Sequence, residues 1–317
     1  MKIFLFKRIT TMLLTLLFAT VVVFVVLEIL PGDPASVMLG INAEQDTLLA
    51  LRKELGLDQP IHIRYFSWLG DLTQGNLGTS YTYDVPVIEL IMERIVVSFP
   101  LAIFAITLST VIAIPFGIIA ASFHTKPLDF GVMLFSQLGI AIPNFWFALL
   151  LIILFSISMR LFPAGGFAGW DQGLFEVMKS LLLPTIALAL PQSAILARVT
   201  RSALLEVLKE DYIRTAMAKG NNRARVMWHH ALRNALIPVV TIMGLQFSFL
   251  LAGTIIIENV FYLPGIGRLI FQAVAQRDLI VVKNLVMLLA ATVIVINFVV
   301  DILYAVIDPR LRGAGDA

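Results

Sequence analysis

Cysteine is absent from the 317 residues, which excludes disulfides, thiolate metal sites and a cysteine nucleophile. Charge is scarce: 14 % of residues are Asp, Glu, Lys or Arg, against about 25 % in an ordinary soluble domain. Only four histidines occur, at 62, 124, 229 and 230, and no two of them form an i,i+4 His pair with an acidic partner, so a metal site is not expected. No G-x-x-x-x-G-K-[ST] run is present to cradle nucleotide phosphates, and no G-x-S-x-G elbow to present a serine nucleophile. What fills the space is apolar: 59 % of the chain is AVILMFWYC, with a mean hydropathy of +0.92. A water-soluble fold cannot bury that much apolar surface and still cover itself with so few charges. The composition excludes a soluble enzyme, a disordered chain and a nucleic-acid-binding domain, and indicates a polytopic membrane protein.

Six stretches are long enough to cross a hydrocarbon core of ~30 Å at ~1.5 Å per helical residue. They are Ile9–Leu30, Ile95–Phe123, Gly131–Met159, Lys179–Ala197, Ala235–Ile257 and Lys283–Ile307. The fourth is the least apolar, because Pro184, Pro191, Gln192 and Ser193 interrupt it; it reads as a span lining something. The first follows Lys2, Lys7 and Arg8 but is too long for a signal-peptide core, so it reads as an uncleaved helix. With the N-terminus inside, segments 1–8, 124–130, 198–234 and 308–317 are cytoplasmic and hold 14 Lys and Arg against six acids. The outer segments hold nine and fourteen, so the small net charge of +2 separates into a basic inner side and an acidic outer one. The positive-inside rule selects this N-in, C-in orientation over its reverse.

Segment 31–94 carries two helical patterns, Ala43–Leu55 and Ile61–Leu72, with Gly56 as a stop, followed by a turn-rich stretch around Gly75 and Gly78. It reads as a small extracytoplasmic subdomain or a solvated spacer. Segment 198–234 is the most polar. Val207–Lys219 reads as an amphipathic helix with a Glu210–Arg214 pair, Gly220 and Asn221 as its stop, and Asn222–Asn234 as a second short helix. Such a hairpin suits a soluble partner or anionic headgroups equally.

The runs Asp211-Tyr212-Ile213-Arg214-Thr215-Ala216-Met217-Ala218-Lys219-Gly220 and His230-Ala231-Leu232-Arg233-Asn234-Ala235-Leu236-Ile237-Pro238 closely resemble the cytoplasmic coupling loop of ABC importer permeases, in the dipeptide/oligopeptide/nickel branch. Against the general importer signature, Gly220 and Leu232 fit. Arg214 stands for the glutamate, His230 for the isoleucine and Arg233 for the proline, a departure that is itself like the peptide branch. Leu30-Pro31-Gly32-Asp33-Pro34, Leu55-Gly56-Leu57-Asp58-Gln59-Pro60, Ile142-Pro143-Asn144-Phe145-Trp146, Ile257-Glu258-Asn259-Val260-Phe261, Pro264-Gly265-Ile266-Gly267 and Asp308-Pro309-Arg310 agree with that branch in collinear order.

The resemblance implies an all-α fold of six transmembrane helices of the type I importer kind, divided as 1–94 (first helix and subdomain), 95–308 (five-helix core) and 309–317 (tail). It implies half of a translocation pathway for di- or oligopeptides, or for nickel chelates or glutathione-like molecules. The implied partners are a second homologous permease subunit, two ABC ATPase subunits or domains that hold the ATP and Mg, an extracytoplasmic substrate-binding protein, and lipid; no nucleic acid and no cofactor of this chain are expected. Tyr212, Arg214, Thr215, Ala216, Ala218 and Gly220 are then the ATPase-coupling residues, with Tyr212, Ala216 and Ala218 inserted into the ATPase. Asn144, Gln192, Gln246, Asn297 and Asp301 are polar groups inside spans and candidates for the pathway or a gate. Bonding between adjacent helices is the competing role for the uncharged ones. Glu258, Pro264 and Gly265 are candidates for binding-protein docking. An ion-gradient-driven secondary transporter is the reading from a different class; it would usually place an ionisable group near the midplane, where this chain has no carboxylate.

Overall fold

The computed structural model describes residues 2–29, 34–39, 44–54 and 56–307. The Leu30–Asp33 part of one motif, Leu55 of a second, and Asp308-Pro309-Arg310 with the tail lie outside them. The helices are α1 (Lys2–Ile29), α2 (Pro34–Leu39), α3 (Gln45–Glu54), α4 (Ile61–Thr73), α5 (Val87–Ser122), α6 (Pro127–Ala141), α7 (Asn144–Leu151), α8 (Leu174–Val207), α9 (Asp211–Ala218), α10 (Arg223–Arg225), α11 (Leu232–Val260), α12 (Ile266–Ala275) and α13 (Leu279–Ile307). Wide π-helical turns extend α7 over Ile152–Ser158 and join α10 to α11 over Val226–Ala231.

Among the described residues, five helical segments are long and apolar enough to cross a membrane: those of α1, α5, α8 and α13, and Val226–Val260. The third expected span differs. It is a helix pair, Pro127–Ala141 and Asn144–Ser158, bent by 101°. Pro143 is the cause: the residue before a proline is pushed out of the α region, and Ile142 is extended at φ −86°, ψ 123°. Counting that pair as one span gives six.

The chain divides into two compact units that are not contiguous in sequence. Of the described residues, one holds 99–263 with 2–5 and 296–307, the other those within 6–98 and 264–295. In the second unit Val87, Leu90 and Ile91 of α5 share a core with Ile266, Leu269 and Ala273 of α12 and Val281, Val282 and Leu285 of α13. Asp278, buried before α13, fastens the loop between α4 and α5 to this core by accepting bonds from Ser80 Oγ (2.5 Å) and Thr82 N (3.1 Å). A second cluster joins Val23 and Phe24 of α1, Trp68 of α4 and Met287 of α13. The helices expected around 43–55 and 61–72 are α3 and α4, and Gly56 (φ +65°) follows α3 as expected.

In the first unit α8 is the central element, packed against α6, α7 and α11. Pro184 and Pro191 lie inside it and are buried, yet the helix runs unbroken from Leu174 to Val207. Small residues let its neighbours approach closely. A Cβ on Gly139 would stand 2.8 Å from that of Ala194, and one on Gly117 only 2.5 Å from that of Thr200.

Candidate coupling surface and transport pathway

Segment 198–234 is built differently from a two-helix hairpin. Its first third continues α8, its last third leads into α11, and α9 is the one free-standing helix between them. Thr200 and Arg201 lower the hydropathy after Ala197 without ending the helix. Thr200 Oγ1 donates to the Leu196 carbonyl (2.7 Å), and Arg201 has a partner on another element. The turn at 208–210 closes with Lys209 N bonding the Glu206 carbonyl and Glu210 N that of Val207.

Glu210 is the N-cap of α9, with an extended backbone (φ −66°, ψ 145°), so it is not on the helix with Arg214. The expected Glu210–Arg214 pair is replaced by Arg214–Asp211 at 3.2 Å, between two exposed side chains. Such a pair contributes little to stability.

Ile213 and Ala216 anchor α9. Both are buried in a core with Ile118, Ala121, Leu204, Val226, Met227 and Ala231. Ala216 thus points into the chain itself and supports the outward face rather than forming it. That face consists of Tyr212, Arg214, Thr215, Met217 and Ala218, with Lys219 and Gly220 beyond its end, all exposed. Met217, at 46 % exposure, is the apolar side chain that the motif reading passed over. Tyr212 is held by its hydroxyl, which accepts a bond from Asn234 Nδ2 at 2.7 Å. Gly220 ends α9 at φ +85° with no atom within 4 Å of a would-be Cβ, so conformation and not space requires glycine there. Asn221 Nδ2 bonds the Ala216 carbonyl (3.0 Å) and Asn222 Oδ1 accepts from Arg225 N (2.8 Å), which turns the chain toward α11.

A clasp that the motifs did not reveal holds α8 just before this segment. Asp129, in the first turn of α6 and 4 % exposed, accepts from Arg201 Nε at 2.6 Å and Nη2 at 2.8 Å. Its Oδ2 also accepts from Thr125 N (3.0 Å), whose backbone is left-handed (φ +66°), and lies 3.1 Å from His124 Nδ1. Three residues earlier on α8, Arg198 Nη2 bonds Gln137 Oε1 of α6 at 2.9 Å. A bidentate arginine on a buried carboxylate fixes orientation as well as distance. With the close approach at Gly139, it makes α6 and the α9-bearing end of α8 one mechanical piece.

The polar groups inside the spans are partly brought together. Gln246 Nε2 of α11 donates to the Gln192 carbonyl of α8 at 3.0 Å. The Oε1 atoms of both are buried with no partner, as are the hydroxyls of Ser109, Ser136 and Ser248. Asn144 begins α7, half-buried, with Nδ2 3.9 Å from a would-be Cβ on Gly253. Gly253 and Gln246 are seven residues apart, two turns along the same face of α11, so Asn144 and the two glutamines border one strip. Asn297 and Asp301 are half-buried on α13. Glu258 is fully buried at 0 % exposure and does not present itself to a docking protein. Its carbonyl accepts from Leu263 N (2.9 Å) and fixes the turn before Pro264 and Gly265. Loop residue Gly165 packs on that turn, a would-be Cβ meeting the Phe261 carbonyl oxygen at 2.5 Å.

Known proteins resemble this chain in sequence and in fold. Residues 113–313 match the family described as binding-protein-dependent transport system inner membrane component, and residues 1–102 its N-terminal companion. A putative peptide transport system permease protein of Brucella abortus is 41 % identical over 306 residues, covering 96 % of this chain and 98 % of its own. The oligopeptide transport system permease protein AppB of Bacillus subtilis is 39 % identical over 300 residues, covering 94 % and 95 %. The glutathione transport system permease protein GsiC of Salmonella choleraesuis is also 39 % identical, covering 96 % and 97 %. In fold, a chain of the inward-facing MetNI methionine ABC transporter superposes at a TM-score of 0.57 with 16 % identity, over 70 % of this chain and 97 % of that one. The chain belongs to the family of binding-protein-dependent transport system inner membrane components, as an ABC importer permease.

Proposed function

We propose that this permease forms half of a translocation pathway for di- or oligopeptides, pairs with a second homologous permease subunit, and takes its motion from two ATPase subunits that seat α9. The outward face of α9, carried by a buried anchor at the end of the central helix α8, supports this reading. A helix fixed at its back by Ile213 and Ala216 transmits displacement, whereas one tethered only at its ends would absorb it. The clasp at Asp129 carries that displacement from α8 to α6, and the strip of Asn144, Gln192 and Gln246 is where an altered packing of α7, α8 and α11 would open polar atoms to cargo. In this orientation the termini and α9 are cytoplasmic, and the turn at Pro264 and Gly265 faces an extracytoplasmic binding protein. ATP and Mg belong to the ATPase subunits. Relatives named for peptides support a peptide cargo; the relative named for glutathione makes a glutathione-like tripeptide the second reading.

The test is uptake by the reconstituted complex with ATP and binding protein supplied separately. Uptake should need both; uptake driven by an ion gradient without ATP overturns the proposal. Gly220→Pro removes the bond from Gly220 N to the Met217 carbonyl (2.9 Å) and forbids φ +85°. It should leave ATP hydrolysis running while uptake per ATP collapses. Wild-type coupling in that variant would remove Gly220 from the mechanism.

A further inference from the structure

The second unit contains a polar cavity of about 310 Å³ that no part of the transport reading uses. It lies beside the end of α1 remote from the N-terminus, between α4 and the first turns of α13, and Arg64, Trp68, Asp71, Tyr81 and Lys283 are on its wall. A smaller cavity shares Phe24, Arg64, Tyr81 and Lys283 and adds the apolar side chains Leu27 and Leu279.

The charges on the wall are unequally satisfied. Arg64 is paired with Glu28 of α1 at 2.6 Å. Lys283 is half-buried, its ammonium 4.8 Å from the Trp68 ring centre and 5.9 Å from that of Phe24, and among the described residues no carboxylate forms an ion pair with it. Aromatic faces hold a cation but leave its hydrogen-bond donors unused. Tyr81 adds a hydroxyl with no partner among the described residues, and burial followed by the charge of Asp278 pushes its phenol up, so it stays a neutral donor. Among the described residues the Asp71 carboxylate, also on the wall, accepts only a long bond from Asn76 Nδ2 (3.4 Å). An unpaired cation with a hydroxyl donor, and a carboxylate with spare acceptors, complement a zwitterion.

The surroundings say what kind. Around this unit α1 exposes Phe18, Val21, Val22, Val25 and Val26 one after another, and α4 exposes Ile63 and Phe66 beside Tyr65. A continuous apolar stripe flanked by aromatic side chains is the composition of a surface at the edge of the hydrocarbon region. From these observations we infer that the cavity binds the headgroup of an aminoalkyl phospholipid, its phosphate at Lys283 and Tyr81 and its ammonium at Asp71, with the acyl chains along α1. The site depends on neither the cargo nor the ATPase, so its failure and that of the transport proposal are separable.

Native mass spectrometry of the full-length chain, offered phosphatidylethanolamine or phosphatidylglycerol with identical acyl chains, tests it. The wild type should retain phosphatidylethanolamine preferentially. A charge-assisted hydrogen bond is worth ~1.5–3 kcal/mol, so Lys283→Gln should lower that retention about tenfold or more. Tyr81→Phe should lower it less, and Lys283→Arg should keep most of it. If Lys283→Gln does not fold, Tyr81→Phe and an Asp71→Asn variant, which should erase the headgroup preference, carry the test. Equal retention of both lipids, or undiminished retention in these variants, overturns the inference. So does displacement of the lipid by a free dipeptide, which would make the cavity a cargo site.

Discussion

The helices α8 and α1 both have the length of a membrane span, and they are opposites. Within its most apolar window 72 % of α8 is buried in the protein, against 17 % of α1. By the rule learned from soluble proteins the more hydrophobic helix should be the more buried, yet α8 is the least apolar of the five long spans and α1 is among the most. The bilayer inverts the rule. A helix surrounded by lipid must be apolar all round, because nothing there satisfies a polar group. A helix surrounded by other helices can carry Thr185 and Gln192, and Ser180, Ser193 and Thr200, whose hydroxyls donate to carbonyls of its own turns, together with small residues that bring backbones together. Interruptions of hydropathy in this chain therefore mark its centre.

The sharpest way to break that centre is at the clasp. Asp129→Ala leaves Arg201 without its carboxylate, and Arg201→Ala leaves a 4 %-exposed carboxylate without its cation. Removing one partner of a buried pair costs about 3–5 kcal/mol. Both variants should lose that order of stability in thermal unfolding of the detergent-solubilised complex. The double variant Asp129→Asn/Arg201→Gln should recover part of it, because no unpaired charge remains; a double variant as unstable as the sum of the singles would mean that the pair is not coupled. Where the complex survives, loss of uptake per ATP would place the clasp on the route from α9 to the spans.

A smaller effect is expected where α8 meets its neighbours through glycine. Gly117→Val must place its Cβ near Thr200 Cβ (2.5 Å) and the Ala197 carbonyl oxygen (2.9 Å), and the backbone cannot yield as a flexible side chain would. Overpacking of this kind costs about 1–3 kcal/mol. Pairing it with Thr200→Ala, which removes the Cγ2 contact (2.7 Å) but keeps the Cβ one, should restore part of the loss in the same unfolding measurement. Unchanged stability in Gly117→Val alone would show that α5 and α8 are less closely packed.

These sites also mark what sequence reading reaches. Five spans, the stop at Gly56 and the left-handed Gly220 were legible because each is local, set by an apolar run or by a residue that tolerates positive φ. The break in the third span was half-legible: Pro143 stands in a recognised motif, but apolar composition does not register a 101° bend. The extension of α8 to Val207 was not legible, since Arg201 looks like the end of a span until Asp129, 72 residues away, is brought to it. The burial of Ala216 was missed for a related reason. Small residues suit a docking face and a close-packed anchor equally, and only the position of Ile118 and Val226 decides between them.

The smallest effect is expected on α1, and it is the one that completes the comparison. Phe18 is 67 % exposed and Val22 42 % exposed on a helix whose buried contacts come from Thr20, Val23 and Phe24. If lipid covers the exposed face, Phe18→Leu and Val22→Leu exchange one apolar contact with acyl chains for another. Both should change the unfolding midpoint by less than the scatter set by surface substitutions, about 0.5 kcal/mol. Phe24→Leu on the same helix removes a ring 6.0 Å from that of Trp68 and should cost measurably more. A loss at Phe18 equal to that at Phe24, seen only in the assembled complex and absent from the isolated chain, would mean that a protein surface covers α1. The apolar stripe would then be an interface between subunits, and the inversion seen in α8 would hold for that helix alone.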